Sequence, residues 1–315
     1  MQSLEISILK TVAYFNVFSY PLNVDEIVFF LDQPATEKEI IPALFHLVKT
    51  KQLFQFSNFY SLRNEPHLIT RRINGNELAL KDIKKAKAVA RFLSWMPFIK
   101  GIAISGSLSK NFADENSDLD FFIITAANRL WIVRMMYAFL FKIASTLKLK
   151  NWFCLNYFID EADLKIKEQN IFTAIEVATL MPLKGEGVCK DFFQSNNWVY
   201  QFLPNYKPDF SYMKNKRPII VKRITEWLLN ATIANKLDDK LHAFFKERFE
   251  RMTAQNIQSE KGLTIGAYEA GKHVCKPLPQ YFQPKILNKF LEQFKISKER
   301  YYRFANDEYY ISQQQ

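Results

Sequence analysis

Two short apolar runs separated by a polar spacer constrain the fold of this 315-residue chain more than any other feature. The first run, residues 102–104, leads into Gly106-Ser107, and the second, residues 121–124, follows Asp118-Leu119-Asp120. Both runs are rich in Ile and Phe, are bounded by turn residues and are too short for helices. They predict two strands of one sheet.

The residues at the ends of these strands carry the chemistry. Alternation along a strand places the Asp118 and Asp120 side chains on the same face. Two carboxylates so close repel each other, so that one is protonated or a cation lies between them. Gly106 allows the backbone to approach a phosphate, and Ser107 adds a hydroxyl and an N–H. A phosphate-binding turn beside metal-binding carboxylates is typical of phosphoryl or nucleotidyl transfer. The alternative is a Ser-Asp turn that caps a strand, with Asp120 merely exposed.

The order of these residues resembles a known signature. Gly106-Ser107, a ten-residue spacer and Asp118-x-Asp120 between two strands are similar to the signature of the DNA polymerase beta-like nucleotidyltransferase superfamily. The resemblance implies a nucleotidyltransferase domain over residues 98–185, with a mixed β-sheet and flanking helices. It also implies a nucleoside triphosphate as substrate and Mg²⁺ or Mn²⁺ held by Asp118 and Asp120, which would be the catalytic residues.

The third acidic position of that family is different here. Relatives usually carry a third carboxylate on a later strand, and the next candidate strand, residues 151–159, has Asn156 where the acid is expected. An amide oxygen can ligate a hard cation but cannot accept a proton as a base. Asn156 is therefore a candidate metal ligand. Asp160 and Glu161 follow the strand, and we interpret them as first-turn acids of the next helix rather than as substitutes.

Two cations are candidates for phosphate binding. Lys110 lies in the loop after Gly106-Ser107, and Arg134 lies near the start of the helix expected after the second strand. With Gly106 and Ser107 they form the predicted nucleotide-binding set. Arg134 is explained equally well as part of the polar face of an amphipathic helix.

Residues 1–65 form a separate predicted module. Helical periodicity and capping residues predict helices over 4–17, over 24–31 and up to Thr50, and the alternation around residues 57–58 predicts a hairpin. This order resembles a winged helix domain. The module has five Lys or Arg against seven Asp or Glu, and a net acidic module binds phosphates poorly. We therefore expect no specific duplex DNA binding, and instead packing on the rest of the chain or contact with a partner protein.

The remaining segments complete an α+β multidomain organisation. Residues 66–97 predict a basic connecting helix, and residues 186–315 a mainly helical C-terminal region. Residues 130–149 are apolar but are interrupted by charge, which predicts an amphipathic helix and no membrane partner. Three scattered cysteines favour a cytoplasmic protein without a structural zinc site.

Three functional hypotheses follow. The first is a metal-dependent nucleotidyltransferase whose acceptor hydroxyl belongs to a small molecule, a protein or RNA. The second is a catalytically degenerate relative that binds nucleotide as a sensor or scaffold, because Asn156 replaces an acid. The third is a winged helix regulator, which the acidic N-terminal module disfavours.

Overall fold

The computed structural model describes residues 2–115, 117–213, 220–229, 232–259, 268–277 and 282–312. These residues form a mixed α/β structure with a six-stranded mixed sheet and a two-stranded antiparallel sheet. The described helices are α1 Gln2–Asn16, α2 Val24–Phe30, α3 Glu37–Lys49, α4 His67–Leu93, α5 Leu130–Thr146, α6 Ile171–Ala178, α7 Glu186–Ser195, α8 Ile220–Leu229, α9 Thr232–Ser259 and α10 Phe282–Ser312. The described strands are β1 Phe54–Phe56, β2 Phe59–Ser61, β3 Ile99–Ile104, β4 Asp120–Thr125, β5 Cys154–Asp160, β6 Met181–Lys184, β7 Glu269–Ala270 and β8 Val274–Lys276.

The first 65 residues contain the three helices and the hairpin in the predicted order. Helix α2 begins with a capping box, in which the Asn23 side chain accepts the Glu26 N–H and the Glu26 carboxylate accepts the Asn23 N–H. Strands β1 and β2 pair antiparallel around residues 57–58. Local capping and turn signals therefore identified these elements.

The large sheet has the strand order β6-β3-β4-β5-β8-β7. Strands β4 and β5 are parallel, and the other neighbours are antiparallel. Two details differ from the sequence analysis. The third strand begins only at Cys154, after a 3₁₀ turn over Lys150–Trp152. The C-terminal region also contributes β7 and β8 to the sheet, because β8 pairs with β5 and covers an edge that would otherwise be unpaired.

The two faces of the sheet are covered by different elements. Alternate residues of β4 belong to different hydrophobic clusters: Phe121 and Ile123 pack with α4, α5 and α9, whereas Phe122 and Ile124 pack with α6 and α7. The cluster that contains Phe122 and Ile124 continues into α1–α3 and α10. The N-terminal helices therefore share one core with the Phe122 face of the sheet.

Specific polar contacts join the N-terminal helices to the spacer after β3. The Tyr20 hydroxyl donates to the Lys110 carbonyl, and its ring meets the Phe112 ring edge-on at 5.8 Å. The buried Arg72 guanidinium lies 3.9 Å from the centre of the Tyr20 ring and forms an ion pair with Glu26. The module was expected to pack on the rest of the chain or to contact a partner protein, and in the structure it packs on the rest of the chain.

Within the described ranges, no helix combines the length and the apolar character needed to cross a membrane. Residues 130–149 include the amphipathic helix α5, as expected.

Candidate functional site

The turn after β3 places Gly106 and Ser107 in alternating backbone conformations. Gly106 is left-handed, with φ of +67°, and a Cβ atom built on it would lie 2.2 Å from Asp120 Oδ2. Ser107 is right-handed and precedes a 3₁₀ turn over Leu108–Lys110. Consecutive left- and right-handed residues direct their N–H groups into a common concavity, which is a geometry that binds anions. Glycine is thus required by both the conformation and the carboxylate beside it.

Asp120 begins β4 with its carboxylate against this turn. Its backbone carbonyl accepts the Ser105 N–H at 2.9 Å, and one carboxylate oxygen accepts a hydrogen bond from the Asn156 amide. Burial raises the pKa of Asp120 to about 6, against the lowering effect of the Asn156 and Cys154 hydrogen bonds, while the charges of Asp118 and Glu176 raise it further. A cation beside this buried carboxyl would favour its ionised form.

Asp118 was expected to begin the second strand, but β4 begins only at Asp120, so that Asp118 lies just before the strand. Leu119 between the two acids is buried on the opposite side, and its N–H donates to the Asn151 carbonyl at 2.8 Å. Asp118 is exposed, and its charge acts on Asp120. The burial of Leu119 between the two acids agrees with the predicted alternation, and a metal ion shared by the two carboxylates stays a prediction.

Asn156 reaches Asp120 through a β-bulge. Phe121 pairs with Leu155 and Phe122 pairs with Tyr157, so that Asn156 is the extra residue of β5. Its amide donates to Asp120, and its carbonyl oxygen accepts from the Cys154 thiol at 3.0 Å. Asn156 thus lies beside Asp120, as predicted, but its amide donates a hydrogen bond there. To bind a metal ion beside Asp120, the amide would have to rotate so that its oxygen faces the ion. Metal binding by Asn156 stays a prediction.

Asp160 does not supply the missing carboxylate. It is the last residue of β5 and pairs with Thr125 at the far end of β4, away from Asp120. It is fully buried and accepts from the His273 ring and from the Asn128 and Ala162 N–H groups. The expectation that Asp160 and Glu161 open a helix is wrong, because the next α-helix begins only at Ile171.

Lys110 is held at the Gly106-Ser107 turn by a partner that the sequence did not reveal. Its Nζ donates to the Gly106 carbonyl at 3.1 Å and forms an ion pair with Glu176 at 2.8 Å. Glu176 is half-buried in the site. The available signal was that Glu176 is the one acid in the otherwise apolar helix α6.

Arg134 is not part of this site. Its guanidinium lies 5.2 Å from the centre of the Tyr137 ring, 6.0 Å from Phe158 and 5.0 Å from Phe245. These rings belong to the cluster on the other face of the sheet from Phe122. Arg134 therefore matches neither expectation: it packs among aromatic rings, not beside Gly106 and not on a polar helix face.

Two adjoining cavities meet at these residues. The first, the loop cavity, has a volume of about 470 Å³ and lies between the N-terminal helices and the sheet; its lining includes Phe18, Tyr20, Arg71, Ser107, Lys110 and Asp120. The second, the apolar cavity, has about 310 Å³ and is lined among others by Phe122, Asn156, Tyr157, Val177, Leu180 and Lys276. Gly106, Phe172 and Glu176 line both cavities. The contribution of the N-terminal helices depends on long-range packing, and the sequence analysis missed it.

Comparison with known proteins gives no match to a family model, to a curated protein or to a solved structure. The function is therefore inferred from the site itself.

Proposed function

We propose that this protein is a metal-dependent nucleotidyltransferase, which moves a nucleoside monophosphate from a nucleoside triphosphate to an acceptor hydroxyl. The observation that carries the proposal is the contact between the Asp120 carboxylate and Gly106. It joins an anion-binding turn to a buried carboxylate at the wall of one cavity, with Asp118 two residues before it. Phosphate-directed N–H groups beside metal-binding carboxylates are what nucleotidyl transfer requires.

The donor set suits Mg²⁺ or Mn²⁺ brought in with the nucleotide. In the described part of the chain no group of three or more His, Cys, Asp or Glu residues could hold a metal ion. Mg²⁺, however, commonly binds one or two carboxylates together with substrate phosphates. Asp118 and Asp120 would hold the ion, whose charge would favour the ionised form of Asp120, a carboxyl whose pKa is raised chiefly by burial. When bound, it would neutralise charge on the phosphates.

The loop cavity is the proposed nucleotide site. Its volume lies within the range of small-ligand sites. The N–H groups of the turn and Lys110 would bind phosphate oxygens, and the half-buried Phe18 ring provides a surface on which a base can stack. Arg71, 4.4 Å from the centre of the Phe112 ring, adds positive charge at the same wall.

In the proposed reaction the acceptor oxygen attacks the α-phosphorus of the triphosphate. A new bond forms between that oxygen and phosphorus, and the bond from the α-phosphorus to the bridging oxygen breaks. Pyrophosphate leaves with the electron pair, and the hydroxyl proton is released to water. The turn and Lys110 hold the triphosphate in place, so that the attack is effectively unimolecular.

The proposal includes the finer architecture and the setting. Residues 1–65 are proposed to be a winged-helix-like module, residues 98–185 a polymerase beta-like nucleotidyltransferase domain, and residues 186–315 a mainly helical region. The protein is proposed to act in the cytoplasm. The acidic module is proposed to complete the nucleotide cavity rather than to bind duplex DNA.

A second candidate function is a nucleotide sensor without transfer activity. It is favoured by one observation: Asn156 presents an N–H to Asp120, at the place where the family resemblance implies a third carboxylate. An amide cannot accept the acceptor's proton.

The test is incubation with ATP, CTP, GTP or UTP labelled at the α-phosphate, with Mg²⁺ or Mn²⁺ and cell extract. Transfer predicts a labelled product and equimolar pyrophosphate, both absent with Asp118→Ala/Asp120→Ala. Triphosphate binding without product from any nucleotide would favour the sensor, and no binding at all would contradict both functions.

A further inference from the structure

The charged groups that line the apolar cavity are paired before anything binds. Its lining cation Lys276 has a side chain only 5% exposed. The Lys276 Nζ contacts Glu168 at 2.7 Å and Glu269 at 2.7 Å, so that two carboxylates more than offset its charge. Glu176 is likewise paired with Lys110. An excess of carboxylates over cations disfavours a polyanion such as RNA.

The walls of this cavity suit a flat or aliphatic body. The Phe122 and Tyr157 rings are stacked, with centroids 5.0 Å apart and planes inclined by 21°. Val177 and Leu180, both buried, and Phe172 complete the apolar lining. A volume of about 310 Å³ is at the small end of ligand sites. Such a cavity binds a small ligand mainly through apolar contact and ring stacking.

The apolar cavity opens where the proposed transfer takes place. Gly106 and Glu176 belong to its lining and also to that of the loop cavity. Asn156 lines it and donates to Asp120. A hydroxyl at this shared boundary would point from the apolar cavity toward the phosphates in the loop cavity.

We propose that the apolar cavity is the acceptor site, and that the acceptor is a small uncharged molecule with an aromatic or aliphatic ring and a hydroxyl group. This inference rests on the proposed nucleotidyl transfer. The hydroxyl oxygen of this molecule forms the bond to the α-phosphorus, pyrophosphate leaves with the electron pair of the broken bond, and the hydroxyl proton is released to water. RNA and proteins are excluded as main acceptors.

The binding test uses 2-naphthalenemethanol, a neutral aromatic alcohol, and the full chain without nucleotide. Ligand-observed NMR should detect binding to the wild type. Val177→Phe fills the cavity and should weaken binding at least about tenfold, while Val177→Ala, the matched control, should retain it. Triphosphate affinity should change by less than about twofold in both variants, since Val177 does not line the loop cavity. If Val177→Phe fails to fold, Tyr157→Leu, which removes one stacked ring, should weaken alcohol binding instead.

The results separate failure of this inference from failure of the proposed function. No alcohol binding to the wild type, or equal binding to Val177→Phe, would overturn the acceptor site whatever the nucleotide does. Alcohol binding without any triphosphate binding would contradict nucleotidyl transfer, and with it the acceptor assignment. In cell extract, the expected labelled product has low molecular mass and is lost with Val177→Phe. Label on protein or RNA would overturn the inference.

Discussion

The loop cavity and the apolar cavity share three lining residues and differ in the other groups that line them. The loop cavity contains the Gly106-Ser107 turn with Asp120 beside it, and two cations, Lys110 and Arg71, that are paired with Glu176 and Asp114. In the apolar cavity, Lys276 is bound by two glutamates, and the aliphatic side chains of Ile166, Val177 and Leu180 form part of the lining. We propose that this difference corresponds to two occupants, an anionic one bound with its metal ion in the loop cavity and a neutral one in the apolar cavity.

The boundary between the cavities depends on close approach at one residue. Gly106 has room for Asp120 only because it lacks a Cβ. The Lys110–Glu176 ion pair crosses the same boundary from the turn to α6. Substitutions at these residues therefore test most directly whether the two cavities bind different ligands.

Gly106→Ala should have the largest effect. The new Cβ would lie 2.2 Å from Asp120 Oδ2 and force a left-handed alanine, so the acid and the turn must separate. We expect about 100-fold weaker triphosphate binding and a loss of about 1–3 kcal/mol in unfolding free energy. Calorimetry and urea denaturation measure the two quantities.

Gly187→Ala in α7 is the matched control, because a Cβ there meets nothing within 4 Å. It should leave triphosphate binding unchanged and stabilise the helix by up to about 1 kcal/mol. Equal behaviour of the two variants would contradict the role of Gly106.

Asp120→Asn should stabilise the protein while weakening triphosphate binding. The pKa of Asp120 rises from 3.8 to about 6 on folding, so the folded state binds the proton more tightly. The free energy of unfolding of the wild type therefore falls relative to that of the variant as the pH rises from 3.8 to 6. Above pH 6 the difference between the two proteins has reached its full size. The shift corresponds to roughly 3 kcal/mol, of which the isosteric amide should recover about 1–3 kcal/mol at pH 7.

Urea denaturation from pH 4 to pH 8 measures this difference. Asp114→Asn, at an exposed acid in the same cavity, should change stability by less than about 0.5 kcal/mol. A stability difference between wild type and Asp120→Asn that does not grow with pH would contradict the account of the Asp120 environment.

Lys110→Met should weaken triphosphate binding about tenfold, because it removes a charged phosphate donor and leaves Glu176 without its cation. Lys190→Met, at the exposed Lys190–Glu186 pair on α7, is the matched control and should have no effect on binding. Fluorescence titration with a labelled triphosphate distinguishes them. Alcohol binding in the apolar cavity should be retained with Lys110→Met.

Arg71→Met should have the smallest effect, about threefold on triphosphate affinity. Arg71 is partly exposed and paired with Asp114 at 3.2 Å, so water and an existing partner weaken its field. The same titration measures it, and its salt dependence should decrease relative to the wild type. A larger loss than for Lys110→Met would show that the phosphates lie nearer Arg71.

Sequence reasoning succeeded where the information is local. Strand alternation and turn residues identified β3, β4 and the Gly106-Ser107 turn. The family resemblance pointed to Asn156, which a bulge that the sequence did not show brings beside Asp120. The start of helix α2 was predicted from its N-cap residue, Asn23. These features depend on neighbours within a few residues, which a sequence pattern records directly.

The remainder depends on contacts between distant segments. Glu176 meets Lys110 from a helix 66 residues later, and the Tyr20 hydroxyl reaches Lys110 across 90 residues. Arg134 faces the opposite side of the sheet because its helix packs with α9 there. Strand β8 joins β5 from the region expected to be mainly helical. No local pattern specifies such pairings, since tertiary packing decides them.

The most direct test of the proposed nucleotide site is calorimetric titration with whichever of ATP, CTP, GTP and UTP binds most tightly. Binding should require Mg²⁺ or Mn²⁺, disappear with a chelator, and weaken at least about 100-fold in Asp118→Ala/Asp120→Ala, because the ion that bridges the phosphates then has no carboxylate ligands. The double variant should still bind 2-naphthalenemethanol in the apolar cavity, which shows that it is folded. Unchanged triphosphate affinity in the double variant, or equal affinity without a divalent ion, would contradict the account.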